Sequence, residues 1–89
     1  MMKNNQNQPG FSKMIEKQWK NHAKGLLKGE LAKRNINYID LAGRLEKIGV
    51  HENAQNLSNK IARGTFGTVF FLQVLHVIGC KNIALEKNA

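Results

Sequence analysis

Gly49, Gly64 and Gly79 each stand just past a stretch whose apolar residues recur at helical spacing. A glycine in that place accepts the left-handed conformation that stops a helix. The only proline is Pro9, so nothing else forces a break in the middle of the chain. These stops close the second, third and fourth of four helical segments, and the pattern predicts an all-α fold. The second segment runs from about Tyr38 to Ile48, with Tyr38, Leu41, Ala42, Leu45 and Ile48 on one face. Asn37 followed by Asp40 is an Asx relative of the capping box, and Val50 can fold back on Leu45 past Gly49. The third runs from about Asn53 to Arg63, with Val50, Ala54, Leu57 and Ile61 inward. The fourth runs from about Phe66 to Ile78, capped by Thr65. It is apolar over most of its circumference, which predicts a central core helix.

The first segment runs from about Ser12, as N-cap, to Arg34. Phe11, Met14, Ile15, Trp19, Ala23 and Leu26 form an apolar stripe. Lys13, Lys17, Lys20, Lys24 and Lys28 form a row within an arc of about 80° on the opposite side. Leu31 projects onto the lysine side, and Gly25 and Gly29 lie just before it. A bend near those glycines, or burial of the C-terminal half on more than one side, is expected. Residues 1–11 are expected as a flexible polar arm, 12–85 as a single domain of four to five helices, and 86–89 as a tail. A short turn through Ile83 and Leu85 would supply the fifth element.

The chemistry classes narrow quickly. Cys80 is the only cysteine, so neither an internal disulfide nor a thiolate cluster forms, and a reducing cytoplasm is expected. Cys80 is expected to pack as a small hydrophobe. His22, His51 and His76 have no ligand spacing among themselves, so no metal is expected. Gly64–Gly67 follows no strand and lacks the Lys-Ser/Thr of a phosphate loop. The sequence offers no nucleophile paired with a base, no cofactor fingerprint and no evident small-molecule site, which points away from an enzyme. The polar start is unlike a signal peptide, and no apolar run approaches a membrane span. Trp19 and Tyr38 are expected at core edges.

What remains is charge. The net charge is +8, from 14 basic and 6 acidic residues. An excess of this size on a small domain favours a polyanionic partner. It is uneven: residues 1–34 hold eight basic and two acidic groups, residues 35–64 four and three, and residues 65–89 two and one.

The run Ile36-Asn37-Tyr38-Ile39-Asp40-Leu41-Ala42, then Leu45, Gly49, Leu57, Ile61 and Arg63-Gly64, resembles lambda-repressor-like, or Xre-type, helix-turn-helix domains. The resemblance implies that the third helix lies in the major groove of double-stranded DNA. Its outward residues Gln55, Asn56, Asn59, Lys60 and Arg63 then become candidates for base contact. Asn and Gln pair with adenine, and Arg or Lys with guanine. Lys13, Lys17, Lys20, Lys24, Lys28 and Ser58 become candidates for phosphate contact. A homodimer reading paired half-sites is the usual arrangement. The chain departs from the pattern in three places. Gly49 is seven residues after Ala42 rather than four, the segment before the third helix is longer, and Ala62 stands where an acid is common.

A closer likeness runs from Trp19 to Gly79. Leu26-Leu27, Glu30-Leu31-Ala32, Leu41-Ala42, Ile48-Gly49-Val50, Asn59-Lys60-Ile61, Arg63-Gly64 and Ile78-Gly79 look like a family of small bacterial domains of unknown function. The leading expectation is a DNA-binding transcriptional regulator. Two alternatives stand beside it: a protein-interaction module on the same fold, and sequence-indifferent nucleic-acid binding through the lysine row.

Overall fold

Three of the four helices end by one local device. In each, a residue in the left-handed conformation is followed by one whose N–H reaches back five residues to a leucine carbonyl. Asn35 (φ 57°), Gly49 (φ 85°) and Gly79 (φ 75°) are the left-handed residues. Ile36 donates to Leu31, Val50 to Leu45 and Cys80 to Leu75, at 3.0, 3.0 and 2.9 Å. These bonds satisfy carbonyls that a helix end leaves without partners. Each also brings Ile36, Val50 or Cys80 onto the core beside its leucine. Gly49 and Gly79 are the stops expected from the sequence. Asn35 does the same work with a side chain, because a short polar residue tolerates this backbone better than most.

The computed structural model describes residues 9–86, with side chains described from Lys13 onward. Among these residues are four helices and no strand: α1 (Pro9–Lys33), α2 (Tyr38–Glu46), α3 (Ala54–Arg63) and α4 (Thr68–Val77). Residues 1–8 of the expected arm and 87–89 of the expected tail lie outside the described residues. Helix α1 starts at Pro9, where the missing N–H costs nothing. Ser12 is therefore inside the helix and is not its cap. The caps of α2 and α3 are Asx caps: Asn37 Oδ1 accepts from Asp40 N–H at 2.8 Å, and Asn53 Oδ1 from Asn56 N–H at 2.7 Å. Helix α4 begins two residues later than expected, at a Gly67 cap with no side-chain bond, so Thr65 does not cap it. Residues 80–85 form no helical turn.

The core is Leu27 and Leu31 of α1, Ile36 between α1 and α2, Leu41 and Leu45 of α2, Leu57 and Ile61 of α3, and Phe70, Val74, Leu75 and Ile78 at α4. Helix α3 packs on α2 and α1, while α4 packs chiefly on α2. Arg44 ties α2 to the end of α4, its Nη1 donating to the Val77 carbonyl at 3.1 Å and its Nε to Asp40 at 3.1 Å.

Two expectations need correction. Helix α4 is not covered all round: Val69 and Leu72 are 70% and 59% exposed. One main neighbour cannot cover a helix circumference. Helix α1 has no break at Gly25–Gly29, and it buries a different face from the predicted stripe. Leu27, Glu30 and Leu31 are buried, whereas Met14 is exposed and Trp19 is 67% exposed. The buried face lies about 100° around the helix from the apolar stripe. Lys20 and Lys24 border it and are half-buried for that reason.

Glu30 is the one buried charged residue among those described. Its carboxylate accepts from Arg34 Nη1 at 2.7 Å and Lys33 Nζ at 3.0 Å. Cys80 Sγ lies 3.6 Å from the same carboxylate and 3.3 Å from the Asn82 carbonyl. Arg34, then Lys33, hold the Glu30 carboxyl below the ordinary carboxylate range against the opposing effect of burial. A lowered folded-state value means stability that is present above the unfolded-state value and is lost as pH falls through the folded one. The urea midpoint of the protein should therefore drop on acidification through that window. In Glu30→Gln the drop should be shallower. An identical acid slope in both proteins would remove Glu30 from this role.

Candidate nucleic-acid interface

Helix α3 divides cleanly by face. Leu57 and Ile61 are fully buried, Ala54 and Ser58 border them, and Gln55, Asn56, Asn59, Ala62 and Arg63 are exposed. The outer face is thus three amides and one guanidinium, with Gln55 Nε2 donating to Asn59 Oδ1 at 3.2 Å. Arg63 makes no ion pair among the described residues.

Lys60 sits differently from the other four. Its Nζ donates to Glu52 Oε2 at 2.7 Å and lies 4.8 Å from the centre of the Phe70 ring. The ammonium is engaged on the flank of α3, toward the body. Ser58 is likewise half-buried at the margin rather than on the outer face. Neither position was separable from the outer set by spacing alone, since both fall at the edges of the polar arc.

On α1, Lys13, Lys17 and Lys28 are exposed. Lys20 is half-buried, with Glu16 Oε2 at 3.6 Å; Lys24 is half-buried as well. The lysine row and α3 meet at one point. Gly64 ends α3 at φ 68°, and a Cβ there would stand 2.9 Å from the Lys20 carbonyl carbon and closer still to its oxygen. The C-terminus of α3 is therefore seated against the α1 backbone in the middle of the lysine row. Arg63 is one residue from that junction. The sequence separates these groups by more than 40 positions, and the fold joins them.

The residues that sequence reasoning missed are Glu30, Arg44 and Glu52. The i, i+3 and i, i+4 spacings of Glu30 with Lys33 and Arg34 were visible as ion pairs. The burial of Glu30 was not, because it depends on what the rest of the chain, the segment after α4 included, packs against it. Among the described residues no group of three metal-ligating side chains occurs, and no helix is long and apolar enough to cross a membrane.

Residues 19–83 match the family model described as a domain of unknown function, DUF6471. The chain belongs to this family. The DUF6471 stretch holds all of α2, α3 and α4, and it takes up α1 at Trp19. It thus contains the Gly64–Lys20 junction and leaves Lys13 and Lys17 outside. It also extends a few residues past the Gly79 limit read from the sequence. No curated protein and no solved structure matches the chain.

Proposed function

We propose that this domain is a non-enzymatic binder of double-stranded DNA on a lambda-repressor-like helix-turn-helix fold. It docks α3 in the major groove and lays the α1 lysine row along phosphates. The observation that carries the reading is the junction at Gly64. It sets an outward amide-and-arginine face, able to read base edges, against a row of cations able to follow the backbone. Gln55, Asn56 and Asn59 supply the bidentate groups suited to adenine, and Arg63 the one suited to guanine. Lys60, held by Glu52, serves to fix α3 rather than to read a base. Lys13, Lys17 and Lys28 hold the register without reading sequence. Such binding suits a transcriptional regulator acting in the cytoplasm as a homodimer on paired half-sites.

The test is fluorescence anisotropy against random-sequence duplex at two salt concentrations, with bound DNA recovered and sequenced. A short enriched motif is expected. Asn59→Ala or Arg63→Ala should relax it at a cost of about 1–3 kcal/mol. Lys17→Ala or Lys28→Ala should weaken all sequences alike and lower the salt slope by about one.

The charge distribution favours a second reading. Most of the excess lies in residues 1–34, so the lysine row alone would bind nucleic acid without regard to sequence. Salt-dependent binding with no enriched motif selects that reading. No binding at low salt sinks both and leaves a protein-interaction module.

A further inference from the structure

Ile15, Trp19, His22 and Leu26 recur on α1 at spacings of four, three and four. That is the spacing of a helix-pair seam, and the fold leaves it only partly covered. Trp19 is 67% exposed, and Ile15, His22 and Leu26 are half-buried. The rings of Trp19 and His22 meet edge to face at 5.9 Å at the centre of the seam. Leu85, 62% exposed, adds an apolar wall beside Trp19, His22 and Leu26, and its carbonyl is hydrogen-bonded to His22 Nε2.

We infer that this face is where a second copy of the chain docks, α1 against α1 in antiparallel orientation. Charge does not bar a like copy. Chains of net charge +8 repel unless their cations point elsewhere. With Trp19 and Leu26 as heptad a positions and Ile15 and His22 as d, the flanking e and g positions are Glu16, Gln18, Ala23 and Gly25. The five lysines of the row occupy only b, c and f positions. No lysine of the row in one copy faces a lysine of the row in the other across the seam. Gly25, on the rim, has open space where a Cβ would stand, which lets a second helix approach closely.

The seam is also self-complementary. In antiparallel register Ile15 meets Leu26 of the second copy and Trp19 meets its His22, and each pair recurs across the two-fold axis. A bilayer is less suited, because the lysines lie opposite the apolar face instead of along its borders, where they could reach headgroups. Residues 1–8 offer only polar side chains, two methionines and a lysine to cover it. The inference names a face for the homodimer of the DNA reading but does not depend on DNA binding, since it concerns the other side of α1 and is tested without nucleic acid.

Trp19 is the only tryptophan, so it reports on its own burial. Sedimentation equilibrium of the full chain from micromolar to millimolar concentration should show a monomer–dimer equilibrium. Tryptophan emission should shift to the blue in step with dimerisation. Trp19→Glu should weaken association by at least about tenfold with helical content unchanged, since the side chain adds little to the monomer. Val69→Glu, on the exposed face of α4, should associate like the wild type. A monomer throughout overturns the inference. So does association that survives Trp19→Glu or is lost in Val69→Glu, and so does a blue shift seen only with phosphatidylglycerol vesicles.

Discussion

Gly64→Ala should destabilise the domain by about 2–5 kcal/mol, the sum of two independent costs. A non-glycine residue at φ 68° loses about 1–2 kcal/mol. Forcing a methyl group into packed surroundings adds about 1–3 kcal/mol, and here the obstruction is the backbone of Lys20, which cannot rotate away. Against a total stability of about 5–15 kcal/mol, this leaves a marginal protein. Two other glycines separate the costs. Gly49 is left-handed at φ 85° but has open space around it, so Gly49→Ala should lose only the conformational part. Gly43 is an exposed position within α2, with nothing near its missing Cβ and no positive φ. Gly43→Ala should gain up to about 1 kcal/mol from helix propensity. Urea melts of the three variants should fall in the order Gly43, Gly49, Gly64. Equal losses at Gly49 and Gly64 would mean that α3 does not press on α1.

Leu57→Ala is the second large effect, about 2–5 kcal/mol. Leu57 is fully buried on α3, the helix that packs against both α1 and α2. Removing its side chain leaves a cavity that two helices would have to close, and α3 loses the anchor that aims its outer face. Leu72→Ala is the informative control. The sequence ranks Leu72 as core, yet it is 59% exposed on α4, and its removal should stay within about 0.5 kcal/mol of the wild type. Thermal melts would check both. Comparable losses would mean that α4 is covered by something in solution.

The helix stops were legible because they are local. Gly49, Gly64 and Gly79 act on their own φ angles, and Asn37 caps a residue three positions away. The polar outer face of α3 was legible because Leu57 and Ile61 sit one turn apart and define the opposite side. The face of α1 was not. Periodicity reports that Met14, Ile15, Trp19 and Leu26 share a side, but not whether the rest of the molecule reaches that side. The rest of the core, with α3 the main neighbour of α1, covers Leu27 and Leu31 instead, and the better stripe is left largely to solvent. The same limit hid Lys60, whose partner Glu52 lies eight residues back outside the helix. The junction of Gly64 with Lys20 was out of reach for the sequence altogether, since a glycine that ends a helix gives no sign of what lies against it.

Glu30 waits for Cys80 across 50 residues. At about 5–20 residues per second, a ribosome needs several seconds to deliver the thiol after the carboxylate has emerged. A bare carboxylate beside a nascent apolar surface would disfavour the collapse of α1 during that interval. Lys33 and Arg34 are made within the same turn and neutralise it at once. The first helix can therefore leave the exit tunnel with its future interior charge already matched, and the last strand of chain closes over an ion pair built long before it arrived.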